Sequence, residues 1–156
     1  MPFVYGISPA ANQATSATPN TEVDGLFVAA GATASVAIQS LFVCGKGAAL
    51  TAISGIIFRI KWWTTASTAG SAITPTPRGA TTPASICTAA SGPTAGTGGG
   101  TYQLAIGCGA AGPGGWVALN AASMPSIRAA SGDSLDVYNA SGTASLNYEQ
   151  SLEVVE

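Results

Sequence analysis

Apolar and polar residues alternate with a period of two along much of this chain, the signature of half-buried strands. In "SVAIQSLFVC", Val36, Ile38, Ser40 and Phe42 share one face, and Ala37, Gln39, Leu41 and Val43 share the other. In "SGIIFRIKWW", Ile56, Phe58, Ile60 and Trp62 point one way and Ile57, Arg59, Lys61 and Trp63 the other. "TYQLAIG" aligns Tyr102, Leu104 and Ile106, and "GWVALN" follows a Pro-Gly-Gly turn. "SLDVYNA" sets Leu135, Val137 and Asn139 opposite Asp136 and Tyr138. "SLNYEQSLEVV" places Leu146, Tyr148, Gln150, Leu152 and Val154 on one face. Turn chemistry in "VCGKGA", "PGG" and two "SG" dipeptides separates these runs. No stretch carries the period of a long amphipathic helix. The pattern predicts roughly seven to nine short strands and an all-β sandwich or barrel.

Two segments break the alternation. Residues 8–21 and 66–100 are rich in Pro, Gly, Thr, Ser and Ala. The expected organisation is an N-terminal arm over 1–21 and a β-sandwich over 22–156, interrupted by a long loop at 66–100. The arm has few apolar anchors, namely Phe3, Val4, Tyr5 and Ile7. Loops longer than about 15 residues are usually functional or disordered. With so few anchors of their own, both segments are expected to be held by a neighbouring subunit.

Composition turns this picture towards assembly. A chain of 156 residues is one domain's worth, and a domain of that size buries roughly 70% of its unfolded surface. Charged residues are 8% of the chain, against about 25% in ordinary globular proteins. Ser, Thr, Gly and Ala must cover most of the surface, which is then weakly self-repelling and suited to association. The net charge of −2 and the lack of any basic run argue against nucleic acid as a partner. Residues 25–45 are uncharged and long enough to span a bilayer. Gly25, Gly31 and Gly45 punctuate them, however, and Thr33, Ser35, Gln39 and Ser40 dilute them, so no membrane span is expected. The N-terminal "MPFVYGISPAANQ" lacks the cationic and apolar regions of a signal peptide, which points to synthesis in a cytoplasm.

Candidate chemistry is sparse. The chain has no histidine, which excludes Ser/His/Asp and Cys/His catalysis. Asp133 and Asp136, or Glu149 and Glu153, are the available carboxylate pairs. Residues three apart on a strand face opposite ways, and four apart stand roughly 13 Å from each other, so neither pair converges well. Cys44, Cys87 and Cys108 are spaced for neither zinc nor redox work and read as small buried thiols, a Cys87–Cys108 disulfide being the alternative. "GTGGGT" near residue 100 lacks the Lys-Ser/Thr of a phosphate loop, and "NAS" at 139–141 fits a glycosylation sequon. No catalytic, cofactor-binding or metal-binding residue is assigned. Arg59, Lys61 and Trp63 form either a cation–aromatic strip for nucleic acid or the wall of an interface, where Arg and Trp are enriched. With no further basic residue nearby, the interface is favoured.

From residue 115 the chain reads "GWVALNAASMPSIRAASGDSLDVYNASGTASLNYEQSLEVVE". This run resembles the last strands of small trimeric jelly rolls, similar to the tumour-necrosis-factor-like and head-fibre jelly rolls of viral surface proteins. The Ala/Gly/Thr-rich body also looks like the decoration, or cement, proteins of tailed-bacteriophage heads. The resemblance implies a jelly-roll β-sandwich and a homotrimer seated on the major capsid protein at three-fold positions of a virion, with no catalytic residues to carry over. A trimeric fibre or receptor-binding domain recognising a host glycan is the alternative; the absence of aromatic residues from 66–100 speaks against it. The residues expected at interfaces are Phe3 and Tyr5 from the arm and Arg59, Lys61 and Trp63 from the strand.

Overall fold

The computed structural model describes residues 2–9, 13–14, 21–45, 55–68, 70–98, 101–109, 112–140 and 147–156. Among them run thirteen strands: β1 (Val4–Ile7), β2 (Gln13–Ala14), β3 (Thr21–Ala29), β4 (Val36–Gly45), β5 (Gly55–Trp63), β6 (Ser71–Ile73), β7 (Thr76–Pro77), β8 (Thr88–Ser91), β9 (Thr101–Gly109), β10 (Pro113–Val117), β11 (Ser126–Ile127), β12 (Ser134–Asn139) and β13 (Asn147–Val155). A single 3-10 turn spans Ala121–Ser123. The strands form two antiparallel sheets. The first runs β10-β4-β13-β1-β7, with β11 also on β4 and β2 also on β13; the second runs β6-β8-β3-β12-β5-β9.

The eight principal strands pair from the outside of the sequence inwards. β1 pairs β13, β3 pairs β12, β4 pairs β10 and β5 pairs β9. This is one long hairpin rolled on itself, with alternate pairs falling in opposite sheets: a jelly roll. The all-β sandwich expected from the alternation is therefore present. One core fills the space between the sheets. Tyr5, Ile7, Val36, Ile38, Leu41, Val43, Tyr148, Leu152 and Val154 enter it from the first sheet, and Leu26, Val28, Phe58, Ile60, Ile106, Leu135 and Val137 from the second. Phe58 meets Tyr148 edge to face across the layers, with ring centroids 4.9 Å apart.

The predicted faces hold in β5 from Ile57 to Trp63. Phe58 and Ile60 are fully buried and Trp62 packs against the core, while Ile57 is exposed and Arg59, Lys61 and Trp63 are half-buried on the outside. They do not hold in β4. Its partners step from Glu153↔Ser40 to Val154↔Ile38, so Gln39 is an extra residue in the ladder. This β-bulge reverses the phase of the alternation. Val36 and Ile38 before it and Leu41 and Val43 after it all reach the core, and Phe42 turns outward. Residues 25–45, weighed as a membrane span, are two sheet strands and a turn. No helix among the described residues is long and apolar enough to cross a membrane.

The described part of the expected arm belongs to the sheet. β1 lies between β13 and β7, and Tyr5 and Ile7 sit opposite Val154 and Leu152, buried in the core. Its four residues anchor it because alternate side chains fill the sandwich and both of its edges are hydrogen-bonded. The long loop is likewise held by its own chain. Residues 64–68 and 94–98 form a ribbon through the bridges Thr65↔Thr97 and Thr68↔Thr94. Beyond the ribbon, β8 extends the second sheet alongside β3, β6 pairs β8, and β7 reaches the first sheet at β1. The segment is thus a strap across the outside of the second sheet, with anchors at both sheets.

Candidate interaction surfaces

The two outer faces of the sandwich differ, and most polar chemistry is on the second sheet. Along β12, Leu135 and Val137 point inward, which sends Ser134, Asp136 and Tyr138 outward; all three are nonetheless buried. The strap covers Ser134 and Asp136. The Ser67 hydroxyl donates to the Asp136 carboxylate, and the Ser134 hydroxyl donates to its other oxygen at 2.7 Å. The backbone N–H of Ser67 donates to Ser134 Oγ at 3.1 Å, and that of Gly96 to Ser67 Oγ at 2.8 Å. A carboxylate buried on a sheet face is tolerable only with such donors. Asp136 therefore clips both strands of the ribbon to the sheet. Gly96 must be glycine here: a Cβ would lie 2.3 Å from the Thr65 carbonyl oxygen and 2.8 Å from the Trp63 side chain.

Beside the ribbon, Lys61 Nζ stands 3.7 Å from the centroid of the Trp63 ring, a cation–π contact. Arg59 and Lys61 lie opposite Tyr138 and Asp136 in the ladder. The sequence-predicted strip is thus real as a grouping, but it is half-buried and engaged within its own chain. On the inner side of β5, the Trp62 indole N–H donates to Asp133 at 3.1 Å. The two aspartates considered as a pair are spent separately, one on Trp62 and the other on the strap.

A second set of anchors holds the far end of the strap. Arg78 follows β7; its backbone N–H donates to the Val4 carbonyl at 3.0 Å, and its guanidinium meets Glu153 at 3.1 Å. Glu153 also accepts from Ser40 Oγ at 3.0 Å. The Glu156 carboxylate accepts from the Ser85 hydroxyl, from Ile86 N–H at 3.2 Å and from Cys87 N–H at 2.8 Å. Burial pushes the Cys87 thiol up to about 12; the Ser85 hydrogen bond opposes this and the neighbouring Glu156 carboxylate adds to it. Such a thiol stays protonated and is a poor nucleophile. None of the three cysteines is in a disulfide. Cys87 and Cys108 are buried as expected, whereas Cys44 is exposed, because the β4 bulge turns it outward with Phe42. Asn139 of the sequon is buried, so its amide is closed to glycosylation in the folded state. Among the described residues no three His, Cys, Asp or Glu side chains gather as a metal-binding set.

The outer face of the first sheet leaves apolar side chains in solvent along β4 and β10, beside Glu149, Ser151 and Glu153 of β13. Phe42 is 48% exposed, Val117 51% and Leu119 94%. Phe42 and Cys44 on β4, Pro113 and Gly114 on β10, and Glu149 and Ser151 on β13 line a groove of about 400 Å³. Next to the groove, Gly115 lets the Phe42 ring lie close over β10, since a Cβ there would stand 3.0 Å from it. This surface was not legible from the alternation, which placed Phe42 with Val36 and Ile38; the bulge alone brings it out. Of the residues expected at interfaces, Phe3 is 42% exposed, and Arg59, Lys61 and Trp63 share one half-buried outer face. Tyr5 is in the core, so its side chain is closed to a second chain. No family model, no curated protein and no solved structure matches this chain.

Proposed function

We propose that this chain is a structural, non-enzymatic subunit that self-associates as a homotrimer and attaches to the outer surface of a viral capsid as a decoration protein. The observation that carries the self-association is the first sheet's outer face, where Phe42, Val117 and Leu119 stand in solvent on a chain with only twelve charged side chains. An exposed apolar face on a weakly charged domain favours burial against protein. The capsid partner rests on the resemblance of residues 115–156 to the last strands of small trimeric jelly rolls and of the Ala/Gly/Thr-rich body to phage decoration proteins; the rolled-hairpin pairing supports the first. Asp136, Glu153 and Glu156 are engaged in holding the strap and Asp133 in bonding the Trp62 indole, which favours a structural role over catalysis.

Light scattering on the purified protein tests the first part: the expected species contains three 15.2 kDa chains. Co-sedimentation with capsids stripped of surface proteins tests the second. A monomer at micromolar concentration that also fails to sediment with capsids overturns the reading.

A further inference from the structure

We propose that copies of this chain meet head to tail, with Leu119 of one copy seated in the Phe42–Pro113 groove of the next. The inference rests on the self-association proposed above and names the surfaces that perform it.

Leu119 is presented, not merely exposed. It follows β10, and the backbone N–H of Ala118 donates to the Gln39 carbonyl at 2.8 Å. Directly after it, Asn120 and Ser123 cap each other: Ser123 N–H donates to Asn120 Oδ1 at 3.1 Å, and Asn120 N–H to Ser123 Oγ at 3.3 Å. The leucine is therefore flanked on both sides by fixed backbone, so burying it costs little ordering. Its 94% exposure means that this chain offers it almost no contact of its own.

The groove is on the same sheet, at the other end of the same strand. Val117 pairs with Ser40 and Pro113 with Cys44, so the two ends of β10 lie on the order of 13 Å apart. A chain's own Leu119 is carried away from its groove by that length of strand. The groove's volume of about 400 Å³ exceeds a leucine side chain, and its Phe42 and Pro113 walls suit one. Charge runs the same way. Arg128 is exposed just after β11, which pairs with Ala37 and Val36 at the knob end of β4. Glu149 is exposed opposite Cys44 at the groove end. Knob and groove are different patches of one face, so their contact is heterologous, and repeated by a closing rotation it forms a ring.

Cys44 lines the groove and is exposed, which supplies a direct test. Leu119→Cys places a second thiol where the contact requires it, and the separation along β10 prevents the two from joining within one chain. Oxidation by diamide, which accepts the two electrons and two protons released, is expected to give covalent dimers and trimers on a non-reducing gel. Wild type and Leu119→Cys/Cys44→Ser should not give them. Leu119→Asp should weaken association by roughly 10- to 100-fold, the cost of losing one buried leucine, with the melting temperature of the isolated chain unchanged. Oligomers by light scattering with no specific cross-link would overturn this contact and leave self-association standing. A wild-type monomer would overturn both.

Discussion

Ser67→Ala is the sharpest probe of the strap. The hydroxyl donates to a buried carboxylate and accepts from Gly96 N–H. A hydrogen bond to a charged group contributes about 1.5–3 kcal/mol, and a buried donor left unmatched costs about 1–3 kcal/mol. Together these give a loss of about 3 kcal/mol, against a typical total stability of 5–15 kcal/mol. For a domain of this size that corresponds to a fall of about 6–12 °C in Tm. Urea unfolding followed by tryptophan fluorescence measures the loss, and amide exchange at Gly96 localises it. A double-mutant cycle with Asp136→Asn isolates the shared bond, with an expected coupling of 1 kcal/mol or more. Ser67→Ala within about 0.5 kcal/mol of wild type, the range of ordinary surface substitutions, would refute the clip. So would additivity of the two substitutions, because the strap would then be held by its edge pairings alone.

The packing of the core and of the buried thiol sets further outcomes. Tyr5→Ala should cost about 3–5 kcal/mol in urea unfolding, as for other large aromatics removed from cores, and a protein lacking residues 1–7 should lose its sheet signal in circular dichroism. Trp62→Ala should cost more than Trp63→Ala, about 3 against 1–2 kcal/mol, because Trp62 loses core packing and the Asp133 bond whereas Trp63 is half-buried under Lys61; equal losses would contradict the assigned faces. A thiol reagent should label Cys44 in the native protein and reach Cys87 only on unfolding. Since the Cys87 thiol is raised from 9.0 to about 12, the folded state holds that proton more tightly than the unfolded one. Its contribution is complete below pH 9 and is lost as pH rises towards 12, and the raised Tyr5 hydroxyl acts in the same direction. Urea midpoints between pH 8 and 11 should therefore fall less steeply for Cys87→Ala than for wild type.

The sequence disclosed what depends on local alternation. The inward set of β5 and the inward set Tyr148, Gln150, Leu152 and Val154 of β13 were legible because each strand keeps one phase from end to end. Leu146, read with that set, lies outside the described residues, as does the "GTGGGT" glycine pair at 99–100. What was not legible depends on partners distant in sequence. Nothing in "SVAIQSLFVC" marks Gln39 as the extra residue; the bulge exists because Val154 must reach Ile38 while Glu153 stays beside Ser40. "FVYGI" offered few apolar anchors for an arm, but four residues suffice when both edges find strands 70 or more positions away. The buried role of Asp136 was hidden for the same reason, since Ser67 lies 69 positions from it.

The rolled pairing has a consequence for how the chain is made. The centre of each sheet is one of the last strands synthesised: β13 stands between β4 and β1, and β12 between β3 and β5. Without those two strands the sheets fall into separate pieces: β10 with β4, β1 with β7, β3 with β8 and β6, and β5 with β9. A ribosome adds about 5–20 residues per second, so β1 waits on the order of ten seconds for its main partner. Throughout that time Tyr5 and Ile7 have no core to enter. Such distant pairing makes folding slow and leaves strand edges bare in the nascent chain. It also makes completion all-or-none. A product truncated before β12 lacks the central strand of both sheets, so its strand edges stay bare and open to proteases.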